Sequence, residues 1–533
     1  MVKDQKVWIG NNEQGDNIFI NPKMANRHGL IAGATGTGKT VTLKVLAEAF
    51  SDMGVPVFLA DVKGDLAGMA AQGIDSEDMQ RRIAKFSLAE AGFNYQRYPV
   101  TFWDVFGTKG IPLRTTVSEM GPLLLGRILG LNDLQRDILT ITFKIADDNE
   151  LLLIDTKDLK ALLNYISENT ADFAAQYGNI SKVSIAAIVR AIVSLEIAGG
   201  DKFFSEPALN VRDFFTTGLD GRGMINILDS TSLINNGTLY SVFLLWLMSE
   251  LFEMLPEVGD LDRPKMVFFF DEAHLLFNDA PKLLMEKIEQ VVKLIRSKGV
   301  GIYFVTHNPR DIPDGVLAQL GNRIQHALHA YTPSDMKAVK AAADSFRENP
   351  AFKTIDMIQQ LGTGEAICSF LDETGTPSVC DKISILPPQS YMGAISEEVR
   401  DREIKQSILY TKYYEATDPD SAYEFFERKG IADMEEKQVE EEARLREKEL
   451  AAQAKLQEKQ AAAALKEAEK KKAQEAREKQ RVIKSVGNSV AGTVGREVGK
   501  NMGGQFGKFG KTLGGNLGAS LGRGILSTFL KGK

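Results

Sequence analysis

Gly33-Ala34-Thr35-Gly36-Thr37-Gly38-Lys39-Thr40 is the stretch on which the fold of this chain turns. It fits the pattern G-x-x-x-x-G-K-[ST] in full. The run His28-Gly29-Leu30-Ile31-Ala32 before it is short and apolar, like a buried strand. Val41 to Phe50 after it are apolar at helical spacing. Strand, glycine-rich turn and helix in that order predict a phosphate-binding loop, in which backbone N–H groups at a helix N-terminus close around a polyphosphate. The expected binding set is Gly33, Ala34, Thr35, Gly36, Thr37, Gly38, Lys39, Thr40 and Val41. Lys39 would reach the β- and γ-phosphates, and the Thr40 hydroxyl would ligate Mg²⁺.

A second apolar run, Lys265-Met266-Val267-Phe268-Phe269-Phe270, ends in Asp271-Glu272-Ala273-His274. A buried strand that delivers two adjacent acids supplies the other half of a nucleoside triphosphatase site. Asp271 would hold Mg²⁺ through its water shell, and Glu272 would orient or deprotonate the attacking water. Val300-Gly301-Ile302-Tyr303-Phe304-Val305 reads as a third buried strand and ends in Thr306-His307-Asn308-Pro309. Thr306 or His307 is expected to sense the γ-phosphate or the lytic water, and Asn-Pro also marks a turn. Arg296, near a helix end, and Arg323, opening the next strand, are both candidates for a finger that acts on a neighbouring subunit's γ-phosphate.

The order of these segments resembles the HerA/FtsK group of P-loop ATPases, and most closely the bacterial HerA-like (YjgR-type) family. The resemblance rests on the loop, the turn Asp61-Val62-Lys63-Gly64-Asp65-Leu66, the box Phe270-Asp271-Glu272-Ala273-His274, the segment Arg296-Ser297-Lys298-Gly299 and the strand end Thr306-His307-Asn308-Pro309. It covers residues 5–395. It implies ATP as the nucleotide, a RecA/FtsK-like fold, a homo-oligomer in the form of a hexameric ring, and movement of a polymer, double-stranded DNA first. Two departures stand out. The phosphate loop comes too early for the N-terminal barrel of archaeal HerA-type proteins, and His307 stands where that group commonly has Gln.

The fold class expected is α/β, a mostly parallel sheet with an inserted helical subdomain and a helical, Gly-rich C-terminal tail. Residues 1–112 carry a short hairpin, around Val7-Trp8-Ile9 and Ile18-Phe19-Ile20, expected to cover the nucleotide, and the first part of the core. Residues 113–218 show helical periodicity without a clear strand. Residues 219–395 return to the sheet and hold the acidic box and sensor strand. A connector follows at 396–429. Asp61 and Asp65, at a strand end, are read mainly as loop structure with an indirect Mg²⁺ or water role as the alternative. His326 and His329 are read as strand histidines rather than metal ligands. The turn Gly362-Thr363-Gly364 can approach a neighbouring subunit's nucleotide.

With 533 residues, a net charge of −7 and two cysteines, the chain has a sizeable core and no overall basic footprint for nucleic acid. Cys368 and Cys380 suggest neither a disulfide framework nor a zinc site. The N-terminus lacks a signal-peptide core and no apolar run is long enough to span a bilayer, which predicts a cytoplasmic protein.

Residues 430–483 are rich in Ala, Glu, Lys, Gln and Arg, and predict a solvated helical tether. Residues 484–533 repeat Gly every three to five positions and are basic, as in a segment that docks on a membrane surface, a protein or nucleic acid. Three functional readings follow from the sequence. The first is a Mg²⁺-dependent ATPase driving DNA translocation or helicase-like work. The others are an ATP-regulated oligomeric switch with tail-mediated docking, and an ATPase that moves polypeptide.

Overall fold

The computed structural model describes residues 1–233, 237–259, 261–278 and 282–482. The chain forms two compact units: Met1–Phe143 with Leu153–Pro419, and Lys144–Leu152 with the residues from Asp420 onward.

The strands of the first unit are Val2–Lys3 (β1), Lys6–Asn12 (β2), Asn17–Ile20 (β3), Gly29–Ala32 (β4), Val57–Asp61 (β5), Val100–Asp104 (β6), Ile111–Pro112 (β7), Ile225–Asp229 (β8), Met266–Phe270 (β9), Val300–Thr306 (β10), Asn322–Gln325 (β11), Glu365–Ser369 (β12) and Asp381–Ile385 (β13). They form one sheet in the order β1-β2-β13-β12-β11-β4-β10-β9-β5-β8-β6-β7, with β3 paired to β2. Every pairing from β11 to β7 is parallel. The wing from β12 to β1 is antiparallel. Strands β4, β5, β6, β8, β9 and β10 are buried along their whole length, as expected where other elements cover both faces of a parallel sheet. This is the α/β P-loop fold the sequence predicts.

Strand β10 lies between β4 and β9, so the phosphate loop, the sensor strand and the acidic box leave the sheet side by side. Thr306 aligns with Ala32, and Phe304 with Phe270. Ligands in such sheets bind beyond the C-terminal ends of the strands.

Lys39–Asp52 forms helix α1, which opens at the phosphate loop. It is buried nearly all round, with Phe50 against Phe269 and Tyr303 at centroid separations of 6.4 and 6.3 Å. Besides Lys39, the charged residues Lys44 and Glu48 are buried with it. Glu48 accepts hydrogen bonds from the Gln389 and Ser390 N–H groups at 2.8 and 3.0 Å and from Ser390 Oγ at 2.6 Å, while Lys44 donates to the Tyr391 carbonyl. A buried charge is tolerated when its hydrogen-bonding capacity is met in this way, so the 389–391 strap holds the back of the loop's helix.

Between β7 and β8 the chain runs through the helices Val117–Ile128, Asp133–Asp148, Thr156–Glu168, Thr170–Tyr177, Lys182–Ile197 and Gly200–Phe203. Thr116 and Glu119 close a capping box on the first of these, and Asp155 and Asp158 close another on the third.

The N-terminal hairpin differs from expectation. β2 and β3 pair antiparallel, but β2 also joins β13 and extends the sheet, and no residue of the hairpin lines the phosphate cavity. Its backbone groups are satisfied by an open strand edge, which outweighs any packing over a ligand.

In the second unit a single helix runs from Ala422 to Val482, starting before the charged segment does. At 1.5 Å per residue it is roughly 90 Å long. The basic Gly-rich segment 484–533 lies outside the described residues.

Candidate functional site

Three of the loop glycines adopt positive φ: Gly33 at 153°, Gly36 at 79° and Gly38 at 112°. At Gly38 an L side chain would be strained and would meet the Gly364 nitrogen at 3.2 Å. At Gly33 a Cβ would fall 2.5 Å from the Cβ of His326. The loop is therefore shaped by close backbone approach as well as by turning. Thr37 Oγ1 donates to the Ala34 carbonyl at 2.7 Å, and Gly364 N–H donates to the Thr37 carbonyl at 3.0 Å.

The loop borders a cavity of about 260 Å³ lined by Thr35, Gly36, Gly38, Lys39, Thr40, Val41, Lys63, Asp271 and Thr363. Lys39 is buried, and its ammonium donates to the Gly33 and Ala34 carbonyls at 2.7 and 3.0 Å. Burial, and then the nearby charge of Lys63, pull its pKa below the ordinary lysine value.

Asp271 and Glu272 stand at the end of β9, both buried. Burial and the adjacent Glu272 raise the Asp271 carboxyl to about 7. Its backbone is held by Tyr240 OH, which donates to the Asp271 carbonyl at 2.9 Å. Glu272 sits at φ 49°, unusual for a residue with a Cβ. One carboxylate oxygen faces Lys63 Nζ at 3.2 Å, and the other faces His307 Nε2 at 3.2 Å. His274 Nδ1 lies 3.4 Å from that second oxygen, without hydrogen-bond geometry.

His307 links the two halves of the site. Its Nδ1 lies 3.3 Å from Lys39 Nζ. A charged ammonium only donates, so Nδ1 accepts and the ring proton sits on Nε2, which lies 3.2 Å from the Glu272 carboxylate. Burial lowers the His307 pKa, in keeping with this neutral tautomer.

Of the two sensor candidates, Thr306 turns its hydroxyl towards its own turn. Its hydroxyl is buried and donates to Asp311 Oδ2 at 2.9 Å, within a turn that Asn308 and Asp311 close as a capping box. Its carbonyl accepts the Gly33 N–H at 3.3 Å. The hydroxyl is committed to its own turn, and its neighbour His307 reaches the site instead. The spacing Asn308-x-x-Asp311 is a readable capping signal.

Arg323 is also placed away from the role expected of it. Its guanidinium donates to the carbonyls of Leu320, Ser345 and Leu317 at 3.0 to 3.1 Å, which makes it a staple inside its own chain. Arg296 is exposed, with no side-chain hydrogen bond or ion pair to any described residue. It precedes β10, whereas His307 follows it, so the strand's length, roughly 20 Å, separates it from its own chain's site.

The segment Gly362 to Gly364, read as a turn with approach to a neighbour's nucleotide as the alternative, packs on the loop of its own chain, with Thr363 in the cavity wall. Asp61 folds its own loop: its carboxylate accepts N–H bonds from Lys63, Gly64 and Leu66 at 3.3, 2.7 and 3.1 Å. His326 follows β11 and is buried. Its Nδ1 lies 2.8 Å from the Glu365 carbonyl and its Nε2 2.8 Å from Thr42 Oγ1, so it wedges the loop's helix against the antiparallel wing. Cys368 and Cys380 are free and buried.

Sequence reasoning missed Lys63 as a member of the site. The available signal was the Asp61-x-x-Gly64 turn directly after a core strand, which presents the residue between them.

The donor set fits a hard divalent cation. The Thr40 hydroxyl and the buried Asp271 carboxylate are oxygen ligands, and among the described residues no cluster of three or more His, Cys, Asp or Glu could hold a metal unaided. Mg²⁺ typically takes one or two carboxylates together with substrate phosphates, which matches this sparse set.

Residues 6–511 match the family described as Helicase HerA-like C-terminal. Among curated proteins, the chain is 24% identical over 373 residues to the DNA double-strand break repair helicase HerA of Saccharolobus solfataricus, covering 67% of this chain and 64% of that protein. It is 23% identical over 365 residues to the protein of the same name from Sulfurisphaera tokodaii, covering 66% and 63%. The chain thus spans somewhat under two thirds of the length of these relatives. Among solved structures, it is similar to VirB4 of Thermoanaerobacter pseudethanolicus, at 13% identity and a TM-score of 0.48, covering 72% of this chain and 97% of the other. It is also similar to the plasmid coupling protein TrwB in complex with ADP and Mg²⁺, at 15% identity and a TM-score of 0.43, covering 70% and 88%. Among the described residues no helix is long and apolar enough to cross a membrane.

Proposed function

Because the chain belongs to the HerA-like helicase C-terminal family, we propose that it is a Mg²⁺-dependent ATP hydrolase that works as a ring of identical subunits and moves DNA. The observation that carries this reading is the cavity at the C-terminal edge of the sheet lined by Lys39, Thr40 and Asp271, with His307 placed between Lys39 and Glu272 beside it.

The loop amides from Gly33 to Thr40 would hold the polyphosphate. Lys39 would leave the Gly33 and Ala34 carbonyls for the β- and γ-phosphates. Thr40 and Asp271 would hold Mg²⁺, which when bound neutralises phosphate charge and keeps Asp271 ionised. Glu272 would take a proton from, or orient, the attacking water. His307 spans Lys39 and Glu272, so it can transmit movement of one to the other. Arg296, exposed and without a side-chain partner among the described residues, suits a finger presented to the next subunit.

The relatives named as DNA repair helicases support DNA as the polymer. The test is steady-state ATP hydrolysis with and without double-stranded DNA. Lys39→Ala should abolish binding and turnover. Glu272→Gln should retain ATP and lose turnover by about 10²- to 10⁴-fold, the usual contribution of a general base. Wild-type turnover in Glu272→Gln sinks the base assignment.

A second reading, an ATP-regulated switch, draws support from the long helix Ala422–Val482, most of whose described side chains are exposed, a form suited to a tether for a partner or a membrane surface. Lys39-dependent hydrolysis that ignores DNA would favour it.

A further inference from the structure

Glu272 is gripped from two sides, and only one grip belongs to the motifs that define the site. His307 comes from the sensor strand. Lys63 comes from the turn after β5, two strands away from the phosphate loop in the sheet order β4-β10-β9-β5 once β10 and β9 are crossed.

The turn is a knot tied by Asp61. Three N–H groups converge on its carboxylate, and Gly64 at φ 80° allows the chain to close. This fixes the backbone of Lys63 while leaving its side chain 44% exposed, free to extend along the cavity wall it helps to form. Burial works against its charge, but the carboxylates of Asp271 and Glu272 outweigh that and hold its pKa above the ordinary lysine value. Its ammonium ends 3.2 Å from Glu272 Oε1. The floor of the phosphate site is already served by Lys39, so a second lysine approaching from the side of Glu272 has a different geometry and a different task.

We propose that Lys63 is a positioning residue for Glu272: it anchors Oε1, so that Oε2 is the oxygen presented to water at the γ-phosphate. A carboxylate on a backbone with positive φ that keeps only its His307 contact would sample other rotamers, and misaimed groups lose much of the advantage of proximity. This rests on the ATP-hydrolase reading.

The experiment measures kcat, KM and binding of a fluorescent ATP analogue for Lys63→Met and Lys63→Arg, each also made in the Glu272→Gln background. Lys63→Met should lower kcat about 10- to 100-fold with KM and analogue binding within about 3-fold of wild type. Lys63→Arg still donates to Oε1 and should recover most of the loss. In the Glu272→Gln background, single-turnover cleavage should change less than about 2-fold on adding Lys63→Met, because the partner it positions is gone.

A full multiplicative loss in that background, or weakened analogue binding with kcat retained, would overturn the proposal and make Lys63 a phosphate ligand. No recovery in Lys63→Arg would overturn it too. Lys39→Ala and Glu272→Gln alone are read first. If either hydrolyses ATP at the wild-type rate, it is the underlying site reading that fails.

Discussion

The two ends of β10 are built from different materials. At its C-terminal end, His307, Lys39, Glu272 and Lys63 form a chain of contacts between 3.2 and 3.3 Å, closed within one polypeptide. At its N-terminal end, Arg296 is exposed and has no side-chain partner among the described residues, while His28 is buried and accepts the Ile302 N–H on Nδ1 at 3.0 Å. One end is complete by itself. The other presents a charge outward. In the proposed ring, such a strand would link a subunit's own site to its neighbour's.

The contrast is open to direct attack, beginning with its largest consequence. Arg296→Ala should lower kcat of the assembled protein by about 10³-fold, the lower range for an arginine finger. Mixing it with Glu272→Gln subunits should restore some activity at interfaces that pair an intact Arg296 with an intact Glu272. Arg323→Ala should instead lower stability by about 2 to 3 kcal/mol, since it strips hydrogen bonds from three carbonyls, and leave kcat within about 3-fold. If Arg323→Ala loses turnover at unchanged stability, or Arg296→Ala hydrolyses normally, the two ends of β10 have been misassigned.

A smaller effect follows from His28. Burial, with the Arg296 charge acting in the same direction, lowers its pKa to about 4, against 6.5 in the unfolded chain. The unfolded state therefore binds more protons between those values. This contribution to stability is intact above pH 6.5 and is lost as the pH falls towards 4. Between pH 7 and 5 it amounts to about 2 kcal/mol. Asp61, raised to about 6 by burial and the charge of Asp65, acts with the opposite sign, so the comparison must be made against a variant. Urea denaturation of His28→Asn should show a pH dependence weaker than wild type by that amount; equal slopes would show that His28 is not buried neutral.

The smallest effect sharpens the other end. His307→Gln keeps an amide that can accept from Lys39 and donate to Glu272, and should cost about 10-fold in kcat or less. His307→Ala breaks the link and should cost more. Equal losses in the two variants would mean that the link itself does not matter.

How much of this was legible depended on sequence distance. The loop's strand–turn–helix frame was legible because its parts are contiguous, whereas the distant His326 and Gly364 that crowd Gly33 and Gly38 were not. The acidic box was read because a buried strand ending in two acids has few other uses. Between Thr306 and His307 the sequence could not choose, and a neighbour five residues on, Asp311, takes the Thr306 hydroxyl. Arg323 could not be told from Arg296 as a finger candidate because the three carbonyls that hold it include Ser345, on another element. Lys63 and Glu272 are more than two hundred residues apart, as are Glu48 and Ser390. No periodicity or spacing rule reaches that far.

By itself, the sequence determined the local patterns from which the proposed chemistry is read: a glycine-rich loop before a helix, a strand that ends in two acids, and a hydroxyl beside the loop lysine. Those follow from residue types in short, local patterns, where backbone geometry alone constrains what they can do. Only the tertiary structure decided which polar groups are spent on their own fold and which remain for a substrate. That choice is made by the strand order, which sets β10 between β4 and β9 and brings Lys63 across to Glu272. A hydrogen-bonding group can serve only the partner that packing puts within reach.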